Sequence, residues 1–176
     1  MKVIFLDFDG VLNSQGSFLF ESCRRNTWKE QGVKGPVNNT LCNVCTVNFQ
    51  YALQHYKDVK VVISSTWRLL FTLDELKVIL DKYHIDSSRV IGMTKEDPSD
   101  NHSRGDEIQW WLDEHPEVTH YVIIDDNDWD ITGKHGKDRF VQTTWEGGMT
   151  FAHTQELIEK LSNFNKKKID EKAAVK

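Results

Sequence analysis

The stretch Lys2-Val-Ile-Phe-Leu-Asp-Phe-Asp-Gly-Val-Leu-Asn13 restricts what this chain can become more than any other. A mostly apolar run of strand length ends in two aspartates one residue apart and then a glycine. Side chains repeat every second residue in extended backbone, so Asp7 and Asp9 can face one crevice at a strand end. Two carboxylates at the end of a buried run are costly without a partner, and a divalent cation is the natural guest. Gly10 permits a sharp turn and a close approach of the backbone to a ligand. An ordinary Asp-Gly turn after a strand carries the same residues, so the choice rests on other parts of the chain.

Three further points bear on it. Val61-Val-Ile-Ser64-Ser65 ends a second apolar run in hydroxyls, and Ser103-Arg104-Gly-Asp-Glu-Ile108 puts a cation at a helix start. Tyr121-Val-Ile-Ile-Asp125-Asp126 ends another strand in a second acid pair. Acid pair, hydroxyl, cation and acid pair, in that order, resemble the haloacid dehalogenase-like (HAD) phosphotransferases. Asp-Phe-Asp-Gly-Val-Leu-Asn, Ser-Ser-Thr-Trp-Arg, Arg-Gly-Asp-Glu-Ile and Ile-Asp-Asp are similar to a small phosphatase-like branch associated with RNA-repair and polynucleotide end-healing proteins. The resemblance covers roughly residues 1 to 160, nearly a whole domain.

A chain of 176 residues is long enough for one full core and too short for two comfortable domains. Residues 1–165 read as that domain, with 14–39 as a lid or substrate-loop insertion and 166–176 as a charged flexible tail. No apolar run approaches membrane-spanning length, and Lys2–Leu6 leads straight into acids rather than into a signal-peptide pattern. The expectation is a cytoplasmic protein with no membrane association and no obligate protein partner. The net charge of -5 supplies no global field toward nucleic acid or anionic lipid, so any attraction must be local. Three cysteines, Cys23, Cys42 and Cys45, argue against a disulfide framework. Cys42-Asn-Val-Cys45 is formally a C-x-x-C, for which Cys23 and His55 would have to complete a zinc site. We read it instead as two small residues on one face of a helix.

Along the chain, Ser14 to Asn39 is polar and irregular and longer than a routine connection. Within it Arg24, Arg25, Lys29 and Lys34 outnumber the acids, with Phe20 and Trp28 interleaved, a mixture suited to a phosphorylated, base-bearing substrate or to a solvated loop with apolar anchors. A helix is expected from Asn39 or Thr40 to about Tyr56, then a strand at Lys60–Ile63. Thr72-Leu-Asp-Glu75 is a capping box, Arg89–Ile91 a short strand, and Ser103-Arg-Gly-Asp106 another helix start. His120–Ile124 and Arg139–Val141 are strands, and Leu157, Ile158, Leu161 and Phe164 mark a last amphipathic helix. Alternating strands and helices imply an α/β fold, a Rossmann-like doubly wound parallel sheet. The resemblance adds the strand order 5-4-1-2-3, which would bring the four motifs into one crevice at the switch point.

What the resemblance implies is an Mg2+-dependent phosphomonoesterase working through an aspartyl-phosphate, on a nucleotide or a polynucleotide terminal phosphate. Asp7 is the nucleophile, Asp9 the acid and then base, and Arg104 a forked phosphate donor where the family more often carries lysine, with Lys95 as a possible substitute. Ser64 binds a phosphate oxygen, or Ser65 if the register is one off. Asp7, the main-chain carbonyl of Asp9, and Asp125 are metal ligands, with Asp126 direct or through water. Arg24, Arg25, Trp28 and Lys29 are candidate substrate contacts. Trp67 and Arg68 could stack on or pair with substrate, while Trp67 could equally be core. The alternatives are a small sugar or metabolite phosphatase, and a phosphate-binding module without turnover. Retention of both Asp7 and Asp9 speaks against the latter.

Overall fold

The computed structural model describes residues 1–19, 41–95, 102–128 and 130–174, with side chains through residue 162. Its centre is a five-stranded parallel sheet built from β1 (Lys2–Leu6), β2 (Val59–Ile63), β3 (Val90–Met93), β4 (His120–Asp125) and β5 (Phe140–Gln142), in the order β3-β2-β1-β4-β5. This is the expected order 5-4-1-2-3 read from the other edge. Around it lie α1 (Asn43–His55), α2 (Leu73–Lys82), α3 (Arg104–Asp113), α4 (Ile131–His135) and α5 (Phe151–Ala174).

The continuous apolar run of β1 follows from burial on both faces. Ile4 and Leu6 point into a core with Phe49 of α1, Leu76 and Leu80 of α2, and Leu157 and Leu161 of α5. Val3 and Phe5 point the other way, against Ile108 and Trp111 of α3 and Ile131 of α4. Phe5 meets Trp111 and Tyr121 edge-on, with ring centroids 5.4 and 5.9 Å apart. Both expected capping boxes form: Thr72 with Glu75 starts α2, and Ser103 with Asp106 starts α3. Three-residue offsets therefore set where both helices begin.

Register then aligns the strand ends. Leu6 pairs with Ile63 on one side and Ile124 on the other, so Asp7, Ser64 and Asp125 follow at one level. The Asp7 amide donates to the Ile124 carbonyl and the Ser64 amide to that of Leu6. Beyond β1 the chain turns at once, and the carbonyl of Phe8 accepts from the amides of Val11, Leu12 and Asn13. The turn is fastened from outside: Met149 N–H donates to Val11, Cys42 N–H to Leu12, and Gln15 N–H to Trp145.

Several elements differ from expectation. Residues 15–19 are helical, so the irregular segment expected from Ser14 begins in ordered structure; residues 20–40 lie outside the described residues. α1 starts at Asn43, with Cys42 as its N-cap, because the Leu12 carbonyl already engages the Cys42 amide. α4 had no sequence signal, since five residues hold too few apolar positions to show a period. α5 runs from Phe151 to Ala174 and so takes in most of the charged stretch 166–176. No helix among the described residues is long and apolar enough to cross a membrane.

Gly148 shows how tightly this turn is held. Its φ is +63°, and a Cβ there would stand 2.5 Å from Cys45 Sγ and 3.0 Å from the Asn13 carbonyl. Gly148→Ala should therefore destabilise the fold by at least about 1–2 kcal/mol, the cost of left-handed backbone alone. Gly147→Ala should be close to neutral, since its nearest neighbour, Thr144 Oγ1, would be in ordinary contact at 3.5 Å. Urea unfolding of the two variants checks this, and equal midpoints would refute it.

Candidate active site

Three carboxylates converge where β1 and β4 end. Asp7, Asp125 and Asp126 each present an oxygen, and these oxygens lie within 4.8 Å of one another. Asp7 and Asp125 are buried and Asp126 is half-buried. Gly10, at φ +71°, lets the turn after β1 lie against Asp126, because a Cβ there would run into that carboxylate. The Gly10 carbonyl accepts from Thr143 Oγ1 at 2.7 Å, and the Thr143 amide bonds the Asp125 carbonyl at 3.0 Å. The turn after β1 and the ends of β4 and β5 are thus joined beneath the acids.

Crowding raises the proton affinity of all three. Burial pushes Asp7 up to about 6, partly offset by the Arg104 guanidinium and a hydrogen bond from Ser65, with Asp9 adding to the rise. Asp125 is held well above the usual carboxylate range by burial and then by the charge of Asp7. Burial also raises Asp126. A divalent cation at this point would offset the repulsion and desolvation together, and three carboxylate oxygens are the donors a hard cation takes. The donor set therefore fits such an ion.

Asp9 stands apart from this cluster. Its Oδ1 accepts from Asn13 Nδ2 at 2.8 Å and its Oδ2 from the indole N–H of Trp67 at 3.0 Å. Asn13 is fully buried, and its own Oδ1 accepts from the Gly10 amide at 3.2 Å. Among the described residues, Asp9 is fixed by two neutral donors, with no cation at its side chain.

A single turn after β2 (residues 66–69) serves both acids. Ser65, at its start, has its hydroxyl beside the Asp7 carboxyl and lowers its proton affinity, and the Trp67 indole reaches Asp9. Arg68 turns inward, donating from Nη1 to the Ser65 carbonyl at 2.7 Å and from Nη2 to Glu107 Oε1 at 2.5 Å. Glu107, buried on α3, also lies 3.5 Å from Arg104 Nη1 and 3.3 Å from His102 Nε2. Arg104 in turn points its Nε toward Asp125 Oδ2 at 3.9 Å.

These placements sort the expected residues. Asp7, Asp9, Ser65, Arg104, Asp125 and Asp126 come together. Ser64 Oγ is buried with no hydrogen-bond partner among the described residues, and it is Ser65 that meets Asp7. The substrate contact expected of Arg68 is corrected: its side chain is 5% exposed and engaged with Glu107. Trp67, only 7% exposed, packs on Phe8 and Phe71 and donates to Asp9, the core placement that was one of the two readings considered for it. Lys95 bridges both oxygens of Glu114 on the surface and cannot replace Arg104. Arg24, Arg25, Trp28 and Lys29 lie outside the described residues. Sequence reasoning missed Asn13, Glu107 and Thr143. Asn13 closes the first motif four residues after Asp9, the one local signal for its role.

Residues 3–154 match the family model described as the HAD domain in Swiss Army Knife RNA repair proteins. The chain belongs to that family. Its structure is similar to a haloacid dehalogenase-like hydrolase of Streptococcus pneumoniae, at 15% identity over 90% of each chain and a TM-score of 0.44. No curated protein matches it in sequence.

If the three acids hold a divalent cation, saturating metal should raise the melting temperature. An ion at about a hundred times its Kd adds roughly 2.7 kcal/mol, or about 5–10 °C for a domain of this size. Asp125→Asn should abolish this response while holding or raising the metal-free melting temperature, since a buried repelling charge is gone. A metal response that survives Asp125→Asn would place the ion elsewhere.

Proposed function

We propose that the chain is an Mg2+-dependent phosphomonoesterase acting through an aspartyl-phosphate on the terminal phosphate of a nucleotide or polynucleotide. The observation that carries this reading is the division of labour between neighbouring acids. Asp7 lies in the cation cluster, while the Asp9 side chain is held outside it by Asn13 and Trp67. A binding site alone gives no reason for a second, separately oriented carboxylate.

Asp7 attacks phosphorus and displaces the ester oxygen. Asp9 gives that oxygen its proton, then takes one from the water that hydrolyses the acyl phosphate. Ser65 and Arg104, already turned toward Asp7, donate to the phosphoryl oxygens, and Glu107 keeps the guanidinium oriented. Asp7, Asp125 and Asp126 would hold Mg2+, which supplies charge neutralisation for the transferring group. The substrate class is supported by the family's description in RNA repair proteins and by the basic and aromatic composition of residues 18–34. We place the protein in the cytoplasm.

Asp7→Asn should abolish phosphate release from 3'- and 5'-phosphorylated oligonucleotides and mononucleotides without unfolding the protein. A folded Asp7→Asn protein with wild-type turnover would sink the mechanism. Trp67→Phe retains the packed ring but removes the donor to Asp9. Since general acid-base catalysis is worth 10²–10⁴-fold, kcat should fall roughly ten- to a hundredfold with KM little changed. An unaltered kcat would mean that the indole N–H is irrelevant to Asp9. Trp28→Ala should lower kcat/KM for a nucleotide by about one to two orders of magnitude and spare p-nitrophenyl phosphate, because base stacking is worth roughly 1–3 kcal/mol. Equal losses on both substrates would favour the metabolite-phosphatase alternative.

A further inference from the structure

The C-x-x-C has no place in phosphoryl transfer, yet its surroundings are those of a reactive dithiol. Cys42 is the N-cap of α1, and Cys45 lies one turn further on; both are free thiols. His55, once a candidate fourth zinc ligand, sits at the far end of this 13-residue helix, about 18 Å away at the helical rise, so α1 offers no closed metal site. Cys42 is partly exposed whereas Cys45 is 1% exposed. The neighbouring Cys45 thiol and the amides at the start of α1 outweigh partial burial and bring the Cys42 thiol down to about 5. The neighbouring Cys42 sulfur and burial drive Cys45 upward. No acidic residue stands in the first turn of α1 to oppose a thiolate.

We propose that Cys42 and Cys45 form a redox-active pair that reacts with small-molecule disulfides to give a reversible intrachain disulfide beside the catalytic loop. Cys42 thiolate attacks one sulfur of the disulfide and releases the first thiolate. Cys45 passes its proton to that thiolate and attacks the Cys42 sulfur, expelling the second thiolate, which takes its proton from water. Two electrons move from the protein to the small molecule, which leaves as two thiols. Residues three apart on a helical turn have Cβ atoms about 5–6 Å apart, and a disulfide wants about 3.5–4.5 Å, so closure requires a small shift at the helix N-terminus.

The pair is built into the turn that carries Asp9. Cys45 Sγ lies 3.9 Å from the Gly147 carbonyl and packs on Gly148, whose neighbour Met149 bonds Val11. The Cys42 amide bonds Leu12, the residue before Asn13. Closing the disulfide draws the Cys45 sulfur toward Cys42 and away from Gly148, which removes a contact from this turn.

The test uses the full chain with Cys23→Ser, so that two thiols remain. Incubated with oxidised glutathione, it should lose the mass of two hydrogens, peptide mapping should find Cys42 joined to Cys45, and dithiothreitol should restore the reduced mass. Cys45→Ser in that background should stop at a glutathione adduct on Cys42, and Cys42→Ser should remain largely unmodified. At pH 6, Cys42 in the folded chain should be alkylated by iodoacetamide roughly fivefold to tenfold faster than in the urea-unfolded chain. Its larger thiolate fraction there outweighs its lower nucleophilicity. Failure to form the intrachain bond, or alkylation no faster in the folded chain, would overturn the proposal. Phosphate release by the reduced protein bears on the phosphatase reading and leaves this outcome independent of it.

Discussion

Repulsion among Asp7, Asp125 and Asp126 sets the terms for everything around them. Parallel pairing of β1 with β4 brings the first two carboxylates to one level, and burial removes the water that would screen them. Such an arrangement is unfavourable alone, as their raised proton affinities show. The fold tolerates it because the strand cores beneath are apolar on both faces and tightly packed. A site that is costly when empty is one in which a cation gains its full electrostatic effect.

The turn after β2 couples this charge to the rest of the crevice. Within four residues, Ser65 reaches Asp7, Trp67 reaches Asp9, and Arg68 reaches Glu107. Glu107 then holds Arg104 from behind, so the cation on α3 is positioned by a chain that begins on β2. Both partners of the Arg68–Glu107 pair are nearly fully buried. Removing either alone would strand a charge, which is the expensive way to break such a pair.

Much of the fold was legible because its signals are local. Apolar runs gave all five strands to within a residue or two, and the boxes at Thr72 and Ser103 marked two helix starts. The acids of the site were legible because strand-end pairs of aspartates have few other uses. The roles of Ser65, Trp67 and Arg68 were not, since they depend on which way a tight turn rolls after β2, and a rotation by one residue exchanges Ser64 for Ser65. Asn13 and Glu107 escaped notice for another reason: their value lies in partners distant in sequence or hidden in the core. α4 fell below the length at which a period can be seen, and residues 20–40 lie outside the described structure.

The two donors on Asp9 explain how neighbouring aspartates can do different work. Asp7 and Asp9 share a strand end, and a cation could in principle take both side chains. Asn13 and Trp67 occupy both oxygens of Asp9, so a cation drawn to the cluster meets Asp7, Asp125 and Asp126 instead. Asn13 is itself anchored by the Gly10 amide, and Gly10 sits against Asp126. The glycine that lets the chain turn therefore also sets the distance between the acid that would move protons and the acids that would hold the cation. Any side chain at position 10 would disturb both at once, which ties the separation of roles to a backbone requirement rather than to the chemistry of either carboxylate.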